Sequence, residues 1–521
     1  MTNPFRVASF AVALALTTAP AALAADSVGF VTLAQVDADN VALFVDTETT
    51  LPDVGALMND TDIAALKRAM AGSGFDGTFG AQKTFYGIGT FKAVTVIGTG
   101  DEPLSRRQLH DLGGHTSNVP GDETLAVILG ELDTTATRPG AEIALGYGLG
   151  DYSFRTYKTG MTGVKGEVSP PNDDRKVMIV GTDADADRAM MERDYDALVA
   201  GVTLTRDMGT EPGMAIYPES FVSRVRAEAR GISNLRVTVL ELRDLQREGM
   251  GGILGVGQGS VHDPRLMILD YRGGDAGDAP IALVGKGITF DTGGISLKPN
   301  TGQWLMKSDL SGAAAVAGTV LATAKRGADV NVVGVMPLAE NMPGSRAIRP
   351  GDVLTTYNGT TIEVMSTDAE GRLLLADAVA YAQDKYDPEL LINIATLTGS
   401  AARAMGDEYG AMITRDWDLA ETMMDVGARA GEDVWPLPLH PNHFKQIHSD
   451  IADIKSTAGN PGASIGAAVV GTFVDDDQPW VHLDIAGVDW LDSGTPTTPK
   501  GHAGWGVRFM DQVIRDHEAG K

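Results

Sequence analysis

The feature that most constrains the fold is the alternation of short apolar runs with helical patterns along nearly the whole chain. Residues 235–240, 281–284 and 330–336 are apolar runs of strand length. Around them lie a helix opened by Pro218 and closed by Gly231, and a small-residue helix over residues 313–324. Strands that take turns with helices are joined by crossovers, which builds a mostly parallel or mixed sheet flanked by helices. In such sheets ligands collect where loops leave the carboxyl ends of strands. Charged residues just after apolar strands are therefore the first candidates for chemistry.

The first third of the chain alternates in the same way. Residues 41–45, 93–97, 125–129 and 176–180 read as buried strands, and Ile63, Leu66 and Met70 share one helix face behind the caps Asp60 and Thr61. Residues 159–174, rich in Gly and Pro, read as a loop. Met191, Tyr195, Leu198 and Val202 repeat at helical steps and form one apolar face. A chain of 521 residues exceeds what one core supports. The expected organisation is α/β in two domains: a smaller N-terminal α/β domain over residues 25–184, a linking helix over 185–208, and a larger C-terminal domain over 209–521.

Residues 1–24 stand outside that plan. Arg6 is their one charged side chain, residues 7–16 form an apolar run too short to span a bilayer, and Ala22-Leu-Ala24 has the small residues a signal peptidase accepts. The expectation is a secretory signal peptide and a periplasmic or secreted mature protein without a membrane span. The 69 acidic residues outnumber the 42 basic ones, and a net charge of −27 repels phosphate backbones and anionic lipid surfaces. No basic stretch offsets this, so neither nucleic acid nor membrane is an expected partner. The chain has no cysteine, which removes thiolate zinc sites and cysteine nucleophiles. Any metal must be held by oxygen or nitrogen.

Two segments concentrate charge after apolar strands. The first runs Ile281-Ala-Leu-Val-Gly-Lys286-Gly-Ile-Thr-Phe-Asp291 and continues to Lys298, with Asp309 following at the head of the small-residue helix. Gly285, Gly287, Gly293 and Gly294 allow close approach of the backbone to a ligand. Lys286 is not a phosphate-loop lysine, because Pro280 stands where that loop needs its first glycine. The second segment is Val364-Met-Ser-Thr-Asp368-Ala-Glu370-Gly-Arg372. On an extended backbone, residues two apart project to one side, so Asp368, Glu370 and Arg372 would face one point.

Read separately, either segment also fits a Gly-rich turn, an N-cap aspartate or a solvated loop. Taken together they offer Asp291, Asp309, Asp368 and Glu370, four negative charges that two divalent cations would balance. Hard oxygen ligands suit zinc, manganese or magnesium. Lysine joins such a shell only as the neutral amine. None of the nine histidines lies in either segment, and no His-Glu-x-x-His occurs. Gly462-Ala-Ser-Ile-Gly466 matches the nucleophile-elbow pattern, but the residues before it read as loop where an elbow needs an apolar strand.

At these two segments the sequence resembles the leucyl aminopeptidase, or cytosol aminopeptidase, family, whose signature is Asn-Thr-Asp-Ala-Glu-Gly-Arg-Leu. This chain reads Ser366-Thr-Asp-Ala-Glu-Gly-Arg-Leu373. The likeness extends over residues 206–507, through residues 251–260, residues 336–353, Ala395-Thr-Leu-Thr-Gly399 and His482-Leu-Asp-Ile-Ala-Gly487.

The resemblance implies a homohexameric exopeptidase that releases N-terminal amino acids from peptides by a two-metal activated water. It implies Lys286, Asp291, Asp309 and Glu370 as ligands of one metal, and Asp291, Asp368 and Glu370 as ligands of the other. Lys298 resembles the lysine that polarises the scissile carbonyl. Arg372 resembles the arginine that holds a bicarbonate acting as general base. Met306, Thr396, Gly399 and Ala486 match positions lining the pocket for the N-terminal side chain.

Two departures stand in the site itself. Ser366 replaces the signature asparagine, a change that tunes ligand orientation without removing a ligand. Asp489, three residues beyond Ala486, replaces an apolar or small residue. It either favours basic N-terminal side chains or points to solvent. Competing functions on the same residues are a dinuclear-metal phosphoesterase, disfavoured by the acidic charge, and a non-enzymatic DNA-binding regulator, disfavoured by the lack of a basic patch.

Overall fold

Six strands built from residues 28–180 form the first sheet, in the spatial order Val28–Val31, Val177–Val180, Leu125–Ile128, Asn40–Asp46, Ala93–Gly100, Gln82–Tyr86. All neighbours are parallel except the Gln82–Tyr86 edge, which is antiparallel. The computed structural model describes residues 28–520 apart from 122, 159–174 and 182. The expected signal segment and the expected loop at 159–174 lie outside the described residues.

Helix Asp60–Ser73 starts one residue earlier than its expected caps. Its N-cap is Asn59, whose side-chain oxygen accepts from Thr61 N and Asp62 N, while Asp60 and Asp62 lie in the first turn beside the positive end of the helix.

The helical face of Met191, Tyr195, Leu198 and Val202 belongs to a long run. Helix Ala184–Met190 passes through a wide π turn at Met191–Tyr195 into helix Asp196–Thr210. That last helix packs on helix Ser311–Lys325. The backbones approach so closely that a Cβ on Gly201 would stand 2.6 Å from Gly318 O. Thr205 Oγ1 donates across the same contact to Ala314 O at 3.0 Å.

The second sheet has nine strands. Its spatial order is Val434–Pro436, Gly410–Thr414, Trp480–Asp484, Leu390–Ala395, Ile281–Gly285, Asn331–Asn341, Arg265–Arg272, Leu235–Leu240, and Gly287–Asp291 pairs with the far half of Asn331–Asn341. The central four, from Trp480–Asp484 to Asn331–Asn341, are parallel, and antiparallel pairings appear toward both edges.

Alternate residues of one central strand face opposite layers. Ile281 and Leu283 pack with helix Ser311–Lys325, whereas Ala282 and Val284 pack with helix Gly371–Tyr386. Helices thus cover both faces, which explains why the central strands read as unbroken apolar runs. The carboxyl ends of the four parallel strands open on one side, and the candidate residues lie there. Among the described residues, no helix is long and apolar enough to cross a membrane.

Candidate metal centre

Each charged residue is placed by a strand end or a helix start. Lys286 lies between strands Ile281–Gly285 and Gly287–Asp291, and Asp291 ends the second of these. Asp309 follows the 3-10 turn Gln303–Ser308 and precedes helix Ser311–Lys325, but it does not cap that helix: Leu310 holds the cap position.

The extended backbone expected over residues 368–372 is not what forms. Residues 367 and 368 make a turn, Glu370 has helical angles (φ −72°, ψ −38°), and Arg372 sits in the first turn of helix Gly371–Tyr386. Asp368 and Glu370 reach the lysines of the cluster through a turn into a helix instead of along a strand, while Arg372 turns to Ser456 O. Gly371 makes this possible, since a Cβ there would stand 2.6 Å from Lys286 Cε.

Asp291, Asp309 and Glu370 are buried and offer one oxygen each within 4.8 Å of one another. Lys286 Nζ lies between two of them, 2.8 Å from Asp309 Oδ1 and 2.9 Å from Glu370 Oε1, and donates to Thr396 O at 2.8 Å. Lys298 Nζ joins Asp291 Oδ2 at 2.8 Å to Asp368 Oδ1 at 2.6 Å. Asp368 is exposed and belongs to the cluster only through this bridge. Asp309 Oδ2 and Glu370 Oε2 are buried without any hydrogen-bond partner.

Burial, with repulsion from Glu370, pushes the Asp291 carboxyl up to about 6, and Lys298 and Lys286 offset part of the shift. Burial raises Asp309 well above the carboxylate range, and it raises Asp368 as well. For Glu370 burial acts upward too, but Lys286 and Lys298 outweigh it and the net shift is downward. Burial alone would discharge Lys286 and Lys298, yet the surrounding carboxylates hold both above the usual lysine range. The two ammonium groups pair with one oxygen of each carboxylate and leave Asp309 Oδ2 and Glu370 Oε2 unmet.

Residues with no assigned role in the sequence reading shape this cluster. Asn341 Nδ2 donates to Asp291 Oδ1 at 2.7 Å and to Thr367 O at 3.0 Å, which ties the two charged segments together. Asp484 accepts from Leu397 N, Thr398 N, Thr398 Oγ1 and Ala486 N. It thereby fixes the loop in which Thr396 gives its carbonyl to Lys286 and its hydroxyl to Asp309 Oδ1 at 2.7 Å. Asn341 ends an apolar strand and Asp484 lies in a segment quoted above, so strand-end position was the available signal.

Arg372 is buried. It donates from Nη1 to Ser456 O at 3.1 Å, while its Nε–H has no partner. Met306 and Ala486 are half-buried, and Gly399 is exposed at the start of helix Gly399–Met405. Ser366 Oγ accepts from Asp368 N at 3.3 Å, consistent with a part in orienting that carboxylate. Asp489 does not point to solvent: its Oδ2 accepts from Ser308 and Ser311. Ser464 of the elbow-like motif lies buried inside helix Gly462–Gly471, which is no nucleophile elbow.

Residues 203–510 match the model of the cytosol aminopeptidase family, catalytic domain. A probable cytosol aminopeptidase of Methylobacterium radiotolerans is 40% identical over 439 residues, 83% of this chain and 84% of its own. Its namesake in Gluconobacter oxydans is 37% identical over 470 residues, covering 89% and 93%. Among solved structures, the bottromycin maturation enzyme BotP in complex with Mn superposes with a TM-score of 0.80 at 30% identity, covering 92% of this chain and all of the other. A mutant of tomato leucine aminopeptidase does so with a TM-score of 0.80 at 27% identity, covering 94% and 96%.

These comparisons correct one expectation. The relatives are named for the cytosol, so the periplasmic or secreted address drawn from residues 1–24 is withdrawn. One arginine ahead of a short apolar run is too weak a pattern to outweigh likeness over more than four-fifths of the chain.

Proposed function

The chain belongs to the cytosol aminopeptidase family and is a metal-dependent aminopeptidase; from that premise we propose that it removes N-terminal residues at the cluster of Lys286, Asp291, Asp309, Asp368 and Glu370. The observation that carries this reading is the pair of buried, unpartnered oxygens, Asp309 Oδ2 and Glu370 Oε2, among three carboxylates within 4.8 Å. A carboxylate oxygen shut away from both water and donors is costly unless a cation meets it. The donor set fits two divalent ions. Lys286, as the neutral amine once a cation displaces its proton, would hold one with Asp291, Asp309 and Glu370, and Asp291, Asp368 and Glu370 the other, with zinc, manganese or magnesium suited to the oxygen-rich shell.

When bound, such a pair supplies a Lewis acid for the scissile carbonyl and an activated water at neutral pH. The chain's own residues do the rest. Asn341 and the Thr396 hydroxyl hold Asp291 and Asp309 in register. Lys298, partly exposed and bridging Asp291 to Asp368, is assigned to stabilise negative charge that develops on the carbonyl oxygen. Arg372, with an uncommitted N–H, is assigned to hold a small anion, bicarbonate by the family likeness, that takes up the proton. Met306, Thr396, Gly399 and Ala486 are assigned to the pocket for the first side chain.

The division into residues 25–184, the linking helix 185–208 and the catalytic part 209–521 belongs to the same proposal, as does assembly into a homohexamer. Supporting assembly, Ile295, Leu297 and Trp304, all between Asp291 and Asp309, expose large apolar side chains.

The test compares a free dipeptide with its N-acetylated form, using metal-loaded and chelated protein. Only the free dipeptide is expected to be cut, only by the loaded protein, with manganese or zinc restoring activity. Undiminished cleavage by verifiably metal-free protein would overturn the reading, as would equal rates on the acetylated substrate.

A further inference from the structure

Asp489 is an acidic side chain beside the metal centre that the chemistry above leaves unused. It is only 6% exposed. Its Oδ2 accepts from Ser308 Oγ at 3.0 Å and Ser311 Oγ at 3.2 Å, and these two serines flank Asp309 in the chain. Ser311 Oγ also meets His502 Nε2 at 2.8 Å. Gly504 N–H donates to His502 Nδ1 at 3.2 Å, so the ring proton sits on Nε2 and His502 is the donor to Ser311. Burial pushes His502 down to about 3, which leaves the ring neutral.

The carboxylate therefore has hydroxyl donors on one oxygen and no counter-charge. Among the described residues no lysine, arginine or histidine forms an ion pair with it. Apart from the Asp489 backbone N–H, no described residue donates to Oδ1, and the side chain keeps a small exposed area. A nearly buried carboxylate with one open oxygen and no cation is incomplete in a specific sense: it lacks a positive partner arriving from the open side. Lys286 is the cation whose field reaches it, and Lys286 is already engaged by Asp309 and Glu370.

We propose that Asp489 determines specificity for the first side chain of the substrate, selecting lysine or arginine by ion pairing through its open oxygen. This rests on the aminopeptidase reading of the metal centre. Ser308 and Ser311, whose hydroxyls meet Asp489, flank Asp309 in the chain, so the carboxylate lies beside the place where the substrate's first residue is bound in that reading. Lysine and norleucine have side chains of nearly equal length and differ in the terminal ammonium, so they isolate the charge.

The experiment measures kcat/KM of metal-loaded full-length protein on lysyl, arginyl and norleucyl p-nitroanilides at pH 8.5. It uses the wild type, Asp489→Asn and Asp489→Leu. The wild type is expected to favour lysine over norleucine by about tenfold or more, as a nearly buried charge pair allows. In Asp489→Asn the ratio should fall to within about threefold of unity, and in Asp489→Leu it should invert. A wild-type ratio at or below unity overturns the proposal with no variant needed, and so does an unchanged ratio in a folded Asp489→Asn. If the loaded wild type cleaves no anilide at all, the aminopeptidase reading itself falls; norleucine cut as fast as lysine removes only the role of Asp489.

Discussion

Glu142 and Glu370 are both buried glutamates at helices, and their surroundings differ in one respect. Glu142, in helix Pro139–Gly150, is saturated: Oε1 accepts from Arg106 Nε at 3.0 Å and Tyr195 Oη at 2.8 Å, and Oε2 meets His110 Nε2 at 2.7 Å. Arg106 also donates to Tyr195 Oη at 2.8 Å, closing the network between the N-terminal sheet's helices and the π turn. Glu370 has Lys286 on Oε1 and nothing on Oε2. A satisfied buried network holds structure in place, whereas an unsatisfied one is retained at a cost that function explains.

Alanine at each position should separate the two roles. Glu370→Ala is expected to lower kcat/KM by about 10³-fold or more, since it removes an oxygen from both proposed ion sites. Metal content should fall with it, while the melting midpoint of the chelated protein changes little. Glu142→Ala should do the reverse. Removing one partner from a buried charged network costs about 3–5 kcal/mol of stability, yet turnover per folded molecule stays within about twofold. Thermal melts by circular dichroism, metal analysis and kinetics on the same samples check both. A folded Glu142→Ala without activity, or a fully metallated and active Glu370→Ala, breaks the comparison.

Lys298→Ala sharpens it within the site. Lys298 is partly exposed and bridges Asp291 to Asp368 rather than completing a shell. Its loss should lower kcat by about 10²–10³-fold, the scale for removing one group that stabilises a developing oxyanion. Metal content should stay at the wild-type level. Loss of metal in parallel with turnover would make Lys298 a structural tether instead.

Much of this was legible in the residues, and the misses share a cause. The central strands were visible because a strand covered on both faces is an apolar run whatever its neighbours do. The charged residues were visible because buried acids cluster where strands end. What stayed hidden depended on contacts between distant segments. Asn341 joins Asp291 to the 367 carbonyl, 26 residues further on, and no local pattern announces that. Asp368, Glu370 and Arg372 were assigned to one side of an extended backbone, but a turn entering a helix brings Asp368 and Glu370 to the lysines and sends Arg372 to Ser456 O. The cap of helix Asp60–Ser73 was missed by one residue because Asn59, Asp60 and Thr61 all suit that place. The address taken from residues 1–24 failed for a different reason: a short apolar run says little that likeness over most of the chain does not override.

The smallest expected effect concerns pH, and it contrasts Asp489 with the saturated Glu142 most directly. Burial pushes Asp489 up to about 7, partly offset by the Ser308 and Ser311 hydroxyls, whereas in Glu142 the bonded His110 and Arg106 overcome burial and hold the carboxyl low. The groups facing Asp489 do not titrate near 7. His502 is already neutral at a value of about 3, and the field of its carboxylate neighbours holds Lys286 above the usual lysine range. A raised folded-state value means that Asp489 is protonated below about 7 and charged above it. Its contribution to stability is present at low pH and is lost as pH rises through about 7. The preference for lysine over norleucine should follow the opposite course, full near pH 8.5 and several-fold weaker at pH 6. Taking the ratio of kcat/KM for the two substrates cancels the pH dependence they share through the metal centre. A ratio flat across that window, in a protein that does prefer lysine, would place the charge responsible elsewhere than on Asp489.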